Sequence, residues 1–199
     1  MWWRLRKSGG LLLGLLLLFS SSVAAAEFSA QMVIKDGDKT MPGKILVQNG
    51  KMRQEFSDVE GRTVTIVRPD KKLIYVVMPL DRTYVEMPLL TKLPGQFIQI
   101  PPDAVSKSKV GTETVNGYQA DKYEVGVRLG SEGVAKYTFW VAPKLGVPIK
   151  VECKEKRFCM EYKNIKEGGL TALLFDPPKG YRKTAQPTGF TDTLRKEIE

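Results

Sequence analysis

Ser106-Lys107-Ser108-Lys109 is the stretch with the side-chain types for nucleophilic catalysis. A lysine amine could take the proton of a serine hydroxyl as it attacks a carbonyl. The types are adjacent, but nothing around them makes the sharp turn that lifts a nucleophile out of a sheet, so the signal is weak. Paired carboxylates are the other route to acid–base chemistry. Asp58 with Glu60, and Asp121 with Glu124, fall at turns or on solvent-facing strand positions, and Glu113 is expected to face water. The chain has no histidine, which removes the commonest general base and the commonest metal ligand. No glycine-rich phosphate loop is present. The sequence therefore predicts no catalytic set, no metal and no cofactor.

Two cysteines remain, Cys153 and Cys159. With no histidine they cannot complete a closed zinc site. An oxidising compartment permits a disulfide. The strand pattern argues against it: Val147, Ile149, Val151 and Cys153 alternate inward, and on the return strand Phe158, Met160 and Tyr162 do the same, which turns Cys159 outward. Residues paired across a hairpin share a face. A bridge needs a bulge or a different inward set, and both the bridge and two free thiols stay open at this point.

The elements that carry these residues read as strand after strand. Phe28–Ile34, Lys44–Gln48, Lys51–Phe56, Thr63–Val67, Leu73–Met78 and Thr83–Met87 form a first series. Lys109–Val115, Tyr118–Arg128, Ala135–Val141, Val147–Cys153 and Phe158–Tyr162 form a second. Asn49-Gly50 and Asn116-Gly117 are hairpin signals of the strongest kind. Leu73–Met78 is apolar throughout and is expected to be buried on both faces. No strand–helix alternation occurs, so the expected fold is mainly β: an antiparallel meander that must curl or be covered to hide its apolar face.

Between the two series, residues 88–105 hold four prolines among Leu89, Leu90, Leu93, Phe97, Ile98 and Ile100. Prolines oppose a regular strand or long helix, while the apolar content exceeds that of a solvated loop. Leu89, Leu90, Phe97 and Ile98 are candidate lid residues over an apolar surface, or a connection that covers the core. Leu73, Tyr75, Val77, Tyr84, Tyr123, Phe139 and Met160 are the candidate lining of a cavity for an apolar ligand. Packing of these side chains on one another is the alternative.

Residues 1–26 have the order of a secretory signal peptide: Arg4, Arg6 and Lys7, then the apolar run Leu11–Phe19, then Ala24-Ala25-Ala26 as a cleavage pattern. The run is shorter than the roughly 20 residues that span a bilayer, and no cysteine near the cleavage point offers a lipid anchor. The exported chain is expected to begin near Glu27, in the periplasm, with no stable membrane insertion after cleavage. The formal charge of +9 becomes +6 without the three cations of that leader, which holds no acid. Basic residues are interspersed with acids and no basic block carries aromatics, so nucleic acid is excluded as a partner. The charge suits anionic lipid head groups.

The ordered set of segments resembles the LolA/LolB-like outer-membrane lipoprotein carriers, and more closely their relatives known only as domains of unknown function. The likeness is carried by Met32–Phe56 with Gly50-Lys51-Met52-Arg53-Gln54-Glu55, and by Arg68-Pro69-Asp70-Lys71-Lys72-Leu73-Ile74-Tyr75. It continues through Val115-Asn116-Gly117-Tyr118, Phe139-Trp140-Val141 and Leu145–Lys150, and ends in Leu174-Phe175-Asp176-Pro177-Pro178-Lys179-Gly180-Tyr181. The resemblance implies a strongly curved, half-open antiparallel barrel around an apolar cavity that holds acyl chains. Two departures stand out: the carriers' opening helix is missing or replaced by the Leu89–Ile100 segment or the C-terminal tail, and no arginine follows the second strand near Gln48-Asn49-Gly50, so that residue's role is not transferred.

The domain organisation expected is a leader over 1–26, a LolA-like β domain over 27–187, and a tail over 188–199 that forms a short helix, capped by Thr191 or Asp192, or frays. The expected function is a periplasmic carrier or chaperone for acyl chains of lipid or lipoprotein, without catalysis, with a membrane-bound protein as a further candidate partner. A regulatory envelope protein that uses the same fold to bind another protein is the alternative.

Overall fold

The computed structural model describes residues 26–58, 61–89, 99–129 and 133–185. They form one open sheet of twelve strands. The first series gives β1 (Glu27–Asp36), β2 (Lys39–Gln48), β3 (Lys51–Asp58), β4 (Gly61–Arg68), β5 (Leu73–Met78) and β6 (Thr83–Pro88). The second gives β7 (Ser106–Val115), β8 (Tyr118–Arg128), β9 (Val134–Ala142), β10 (Val147–Cys153) and β11 (Phe158–Glu167), and a short β12 (Arg182–Thr184) ends the described chain. The order across the sheet is β12-β6-β5-β4-β3-β2-β1-β11-β10-β9-β8-β7. Two antiparallel meanders therefore meet at a seam between β1 and β11, and only β12 runs parallel to its neighbour, β6.

Local chemistry explains the turns. Asn49 and Gly50 have φ of 52° and 76°, and Asn116 and Gly117 have 49° and 83°. Two successive positive φ values are what a tight hairpin matched to strand twist requires, and asparagine and glycine adopt them at least cost. Strand β2 reaches back to Lys39, five residues before the apolar run expected to begin it. Pro42 is tolerated there because β2 has only β1 beside it at that point; pairing with β3 begins at Gly43.

Register shifts at Ser29/Gln31, Lys109/Gly111 and Pro148/Lys150 bend the sheet. With the natural twist they curl it into a half-open barrel. Its interior face carries Phe28, Met32, Ile45, Met52, Val67, Ile74, Val85 and Met87 from the first meander. Val125, Phe139, Val151, Met160 and Tyr162 come from the second, and all belong to one buried cluster. A second, smaller cluster lies on the outer face: Leu46, Val64, Ile66, Tyr75, Val77 and Phe175. The apolar run of β5 serves both faces, as its composition requires: Ile74 points in, Tyr75 and Val77 out.

The connection over residues 89–105 joins β6, near one end of the sheet, to β7 at the other edge. Its described ends are seated: Leu89 N–H donates to Lys72 O at 2.9 Å, and Val105 N–H to Gly126 O at 2.8 Å. Leu89, Ile100 and Ala104 pack on the interior cluster.

Candidate functional site

The interior face is the candidate site, and strand parity decides what lines it. Tyr123, Phe139 and Met160 come together in one transverse row. Ile34 pairs with Met160, Met160 with Val151, Val151 with Phe139, and Phe139 with Tyr123. Phe139 is fully buried and Met160 nearly so, and Tyr123 is half-buried against them.

Leu73, Tyr75, Val77 and Tyr84 do not join this row. They lie on the outer face, with the second cluster, and Tyr75 and Tyr84 meet edge to face at 5.9 Å. The physical reason is the period of two: in a run apolar on both faces, composition does not say which parity turns inward. The interior positions on these strands are Ile74, Val76, Val85 and Met87. Of the lid candidates, Leu89 packs on the interior cluster, while Leu90, Phe97 and Ile98 lie outside the described residues, as do residues 1–25 and the 188–199 tail.

A strap covers the outer face. It runs from Gly168 to Tyr181 through a 3-10 turn at Ala172–Phe175, and successive strands each hold its backbone with one side chain. On β1, Glu27 Oε1 accepts from Leu170 N–H at 2.9 Å. On β2, Gln48 Nε2 donates to Leu170 O at 3.0 Å. On β3, Arg53 Nη1 donates to Leu174 O at 3.0 Å. On β4, Arg68 Nη1 donates to Phe175 O at 3.0 Å. Arg68 also pairs with Asp176 and, at 2.7 Å, with Asp70. The Arg68 guanidinium bonded to Asp70 holds that carboxyl down at about 2. The backbone N–H of Leu170, with help from Gln48, holds the Glu27 carboxyl below its ordinary range. These residues escaped sequence reasoning because each bonds a segment more than a hundred residues away; the Phe175-Asp176-Pro177-Pro178 stretch was the one available signal.

The serine–lysine cluster separates across β7. Ser106 Oγ accepts from Gly126 N–H at 3.1 Å, and Ser106 and Ser108 share a shallow depression with Glu124 and Lys136. Lys136 is held by Glu124 at 2.8 Å. On the opposite face, Lys107 Nζ lies 4.9 Å from the Tyr123 ring and Lys109 pairs with Asp121 at 2.8 Å. Neither adjacent lysine faces a serine. Glu113 faces water, as expected, and is also engaged: it accepts from Trp140 Nε1 at 2.8 Å and pairs with Lys122 at 2.6 Å. Lys122, then Trp140, hold its carboxyl below the usual range.

Cys153 and Cys159 are free thiols, so the candidate bridge is corrected. Cys153 pairs with Phe158 and Cys159 with Glu152, which puts the two sulfurs on opposite faces. Among the described residues no helix is long and apolar enough to cross a membrane.

The model of the family described as Domain of unknown function (DUF4412) matches residues 27–147, from the first residue of β1 to the first of β10. The chain belongs to this family. In DUF4412 terms, the match takes in the first meander, the 89–105 connection and β7–β9, and ends before the strap. The fold is similar to that of an uncharacterized conserved protein from Thermus thermophilus, with a TM-score of 0.57 and 13% identity over 82% of this chain and 93% of that one. It is also similar to PNGF-II, with a TM-score of 0.52 and 12% identity over 87% of this chain; the match spans only 33% of PNGF-II. The MucA/MucB complex structure from Pseudomonas aeruginosa matches with a TM-score of 0.49 and 13% identity, over 75% of this chain and 54% of that one. At such identities the likeness is one of fold. No curated protein matches the sequence.

Proposed function

We propose that this DUF4412 protein is a periplasmic lipid- or lipoprotein-binding carrier or chaperone that shields acyl chains against its interior face, without catalysis. The observation that carries the reading is the joint construction of that face. Both meanders contribute to one apolar surface, and Leu89, Ile100 and Ala104, from the described ends of the proline- and leucine-rich connection, pack on it. A broad apolar surface on a curled sheet is what a carrier of an acyl chain needs. At about 0.8 kcal/mol for each buried CH₂, a sixteen-carbon chain supplies on the order of 10 kcal/mol before the costs of association.

Tyr123, Phe139 and Met160 are the lining residues in this reading. Ile74, Val76, Val85 and Met87 join them in place of the outward-facing Leu73, Tyr75, Val77 and Tyr84. Leu89, Leu90, Phe97 and Ile98 are the gate. The leader-like residues 1–26 support the location. Residues 27–199 should enhance the fluorescence of an environment-sensitive fatty acid and be displaced by unlabelled lipid. Absence of enhancement from a folded sample contradicts the carrier role.

A second reading, a regulatory envelope protein that binds another protein, is favoured by β7. Every residue from Ser106 to Thr114 is exposed, and the described sheet places no strand beyond it. Such an edge can accept a strand from a partner. Thr112→Pro should then abolish a periplasmic partner's binding while lipid uptake persists.

A further inference from the structure

The apolar interior contains two polar side chains that the fold itself does not use. Gln54 is 9% exposed and Tyr162 1% exposed. The side-chain contact of Gln54 is from Nε2 to Met32 Sδ, at 3.9 Å, a weak acceptor. No hydrogen bond engages the Tyr162 hydroxyl among the described residues, and burial alone pushes its phenol up, so it remains a donor at neutral pH. No polar side-chain atom in the described structure is both fully enclosed and without a partner. The Tyr162 hydroxyl is therefore not fully enclosed, and Gln54, at 9% exposed, is not either.

The two groups are neighbours through one residue. Met32 on β1 is the register partner of Tyr162 on β11, and its sulfur is the atom that Gln54 touches. Thr65, opposite Gln54 on β4, continues the polar row and is half-buried. Buried polar groups without partners are costly, and a core built only to be stable would fill these positions with leucine, methionine or phenylalanine. A ligand that brings an acceptor resolves the cost.

Resting on the lipid-binding reading, we propose that Gln54 and Tyr162 form the polar end of the interior site and donate hydrogen bonds to the carbonyl oxygen of an esterified or amide-linked acyl group. Both donors are neutral. A free carboxylate bound to them would leave its hydration without gaining a counter-charge from either, whereas an ester or amide carbonyl asks only for donors. The site thus selects acyl chains in lipid or acylated-protein form over free fatty acid.

The test compares three probes of equal chain length: a pyrene-labelled alkane, the corresponding fatty acid and its methyl ester. Each is titrated into residues 27–199 and into Gln54→Met, Tyr162→Phe and the double variant. Tyr162→Phe removes a single oxygen and Gln54→Met nearly preserves volume, and melting curves establish folding. The double variant is expected to lose about tenfold in affinity for the ester, the worth of two ordinary hydrogen bonds, and less than twofold for the alkane. Ester and alkane weakened alike, or neither weakened, overturns the polar end while the carrier role stands. A loss confined to the fatty acid overturns the ester assignment. A wild-type protein that binds none of the three overturns the carrier reading and this inference with it.

Discussion

Arg68 on β4 donates from Nη1 to the carbonyl of Phe175 at 3.0 Å, across 107 residues of sequence. The Arg68 side chain is 7% exposed and its guanidinium also pairs with Asp70 and Asp176. This contact closes the outer face, where Phe175 is fully buried. It leaves the interior as the face for the proposed acyl ligand.

Arg68→Ala strands a buried carbonyl and releases Asp176. Both carboxylates keep access to water, so the loss should fall below that of a fully buried pair, at about 2–3 kcal/mol. Urea unfolding measures it. The variant should also admit protease cleavage between Gly168 and Lys179 in the native state.

Phe175→Ala removes the strap side chain that is fully buried in the outer cluster. A loss of about 3–4 kcal/mol is expected. Because Arg68 and Phe175 hold the same segment, the double variant should lose less than the two single losses combined. Strict additivity would show that the strap does not act as a unit.

The strap carries an acid dependence. Asp70 and Glu27 are both held below their ordinary range in the folded chain, Asp70 at about 2. Carboxylates lowered in this way contribute stability that is complete above their unfolded values near 4, and is lost as pH falls towards 2. The thermal midpoint should stay level from pH 7 to 5 and drop between about pH 4 and 2. Asp70→Asn should flatten that drop.

Gly43 on β2 sits where a Cβ would lie 2.8 Å from Glu55 O and 2.9 Å from the Phe56 ring. Gly43→Ala should cost about 1–3 kcal/mol through overpacking, because a backbone oxygen cannot swing aside. A neutral result in urea unfolding would mean that β2 and β3 are spaced more widely there.

Cys153 and Cys159 should both alkylate in denaturant without reductant, adding two labels by mass. In the native state Cys159 should react slowly, since burial pushes its thiol up, and Cys153, with no exposed surface, should not react.

Much of the fold was legible in local pattern. Both Asn-Gly hairpins, the alternating strands and the outward turn of Cys159 follow from rules of period two and turn chemistry. The inward parity of β5 was not legible, because Leu73–Met78 is apolar at every position and neighbouring strands choose the face. The strap was not legible either: Glu27, Gln48, Arg53 and Arg68 look like ordinary strand polar residues until the chain folds back over them. Three-residue β12 lacks any apolar pattern of its own and is placed by pairing with β6. Gln54 shares a face with Met52 and Phe56 by simple alternation, yet its lack of a strong partner depends on what surrounds it in three dimensions.

The most direct test of the central claim is native mass spectrometry of residues 27–199, exported to a periplasm and purified without detergent. The account predicts a fraction of the protein carrying an additional mass that dissociates as a phospholipid or an acylated peptide. A clean unliganded mass that persists after incubation with lipid vesicles would contradict it, and the interior face would then be ordinary core.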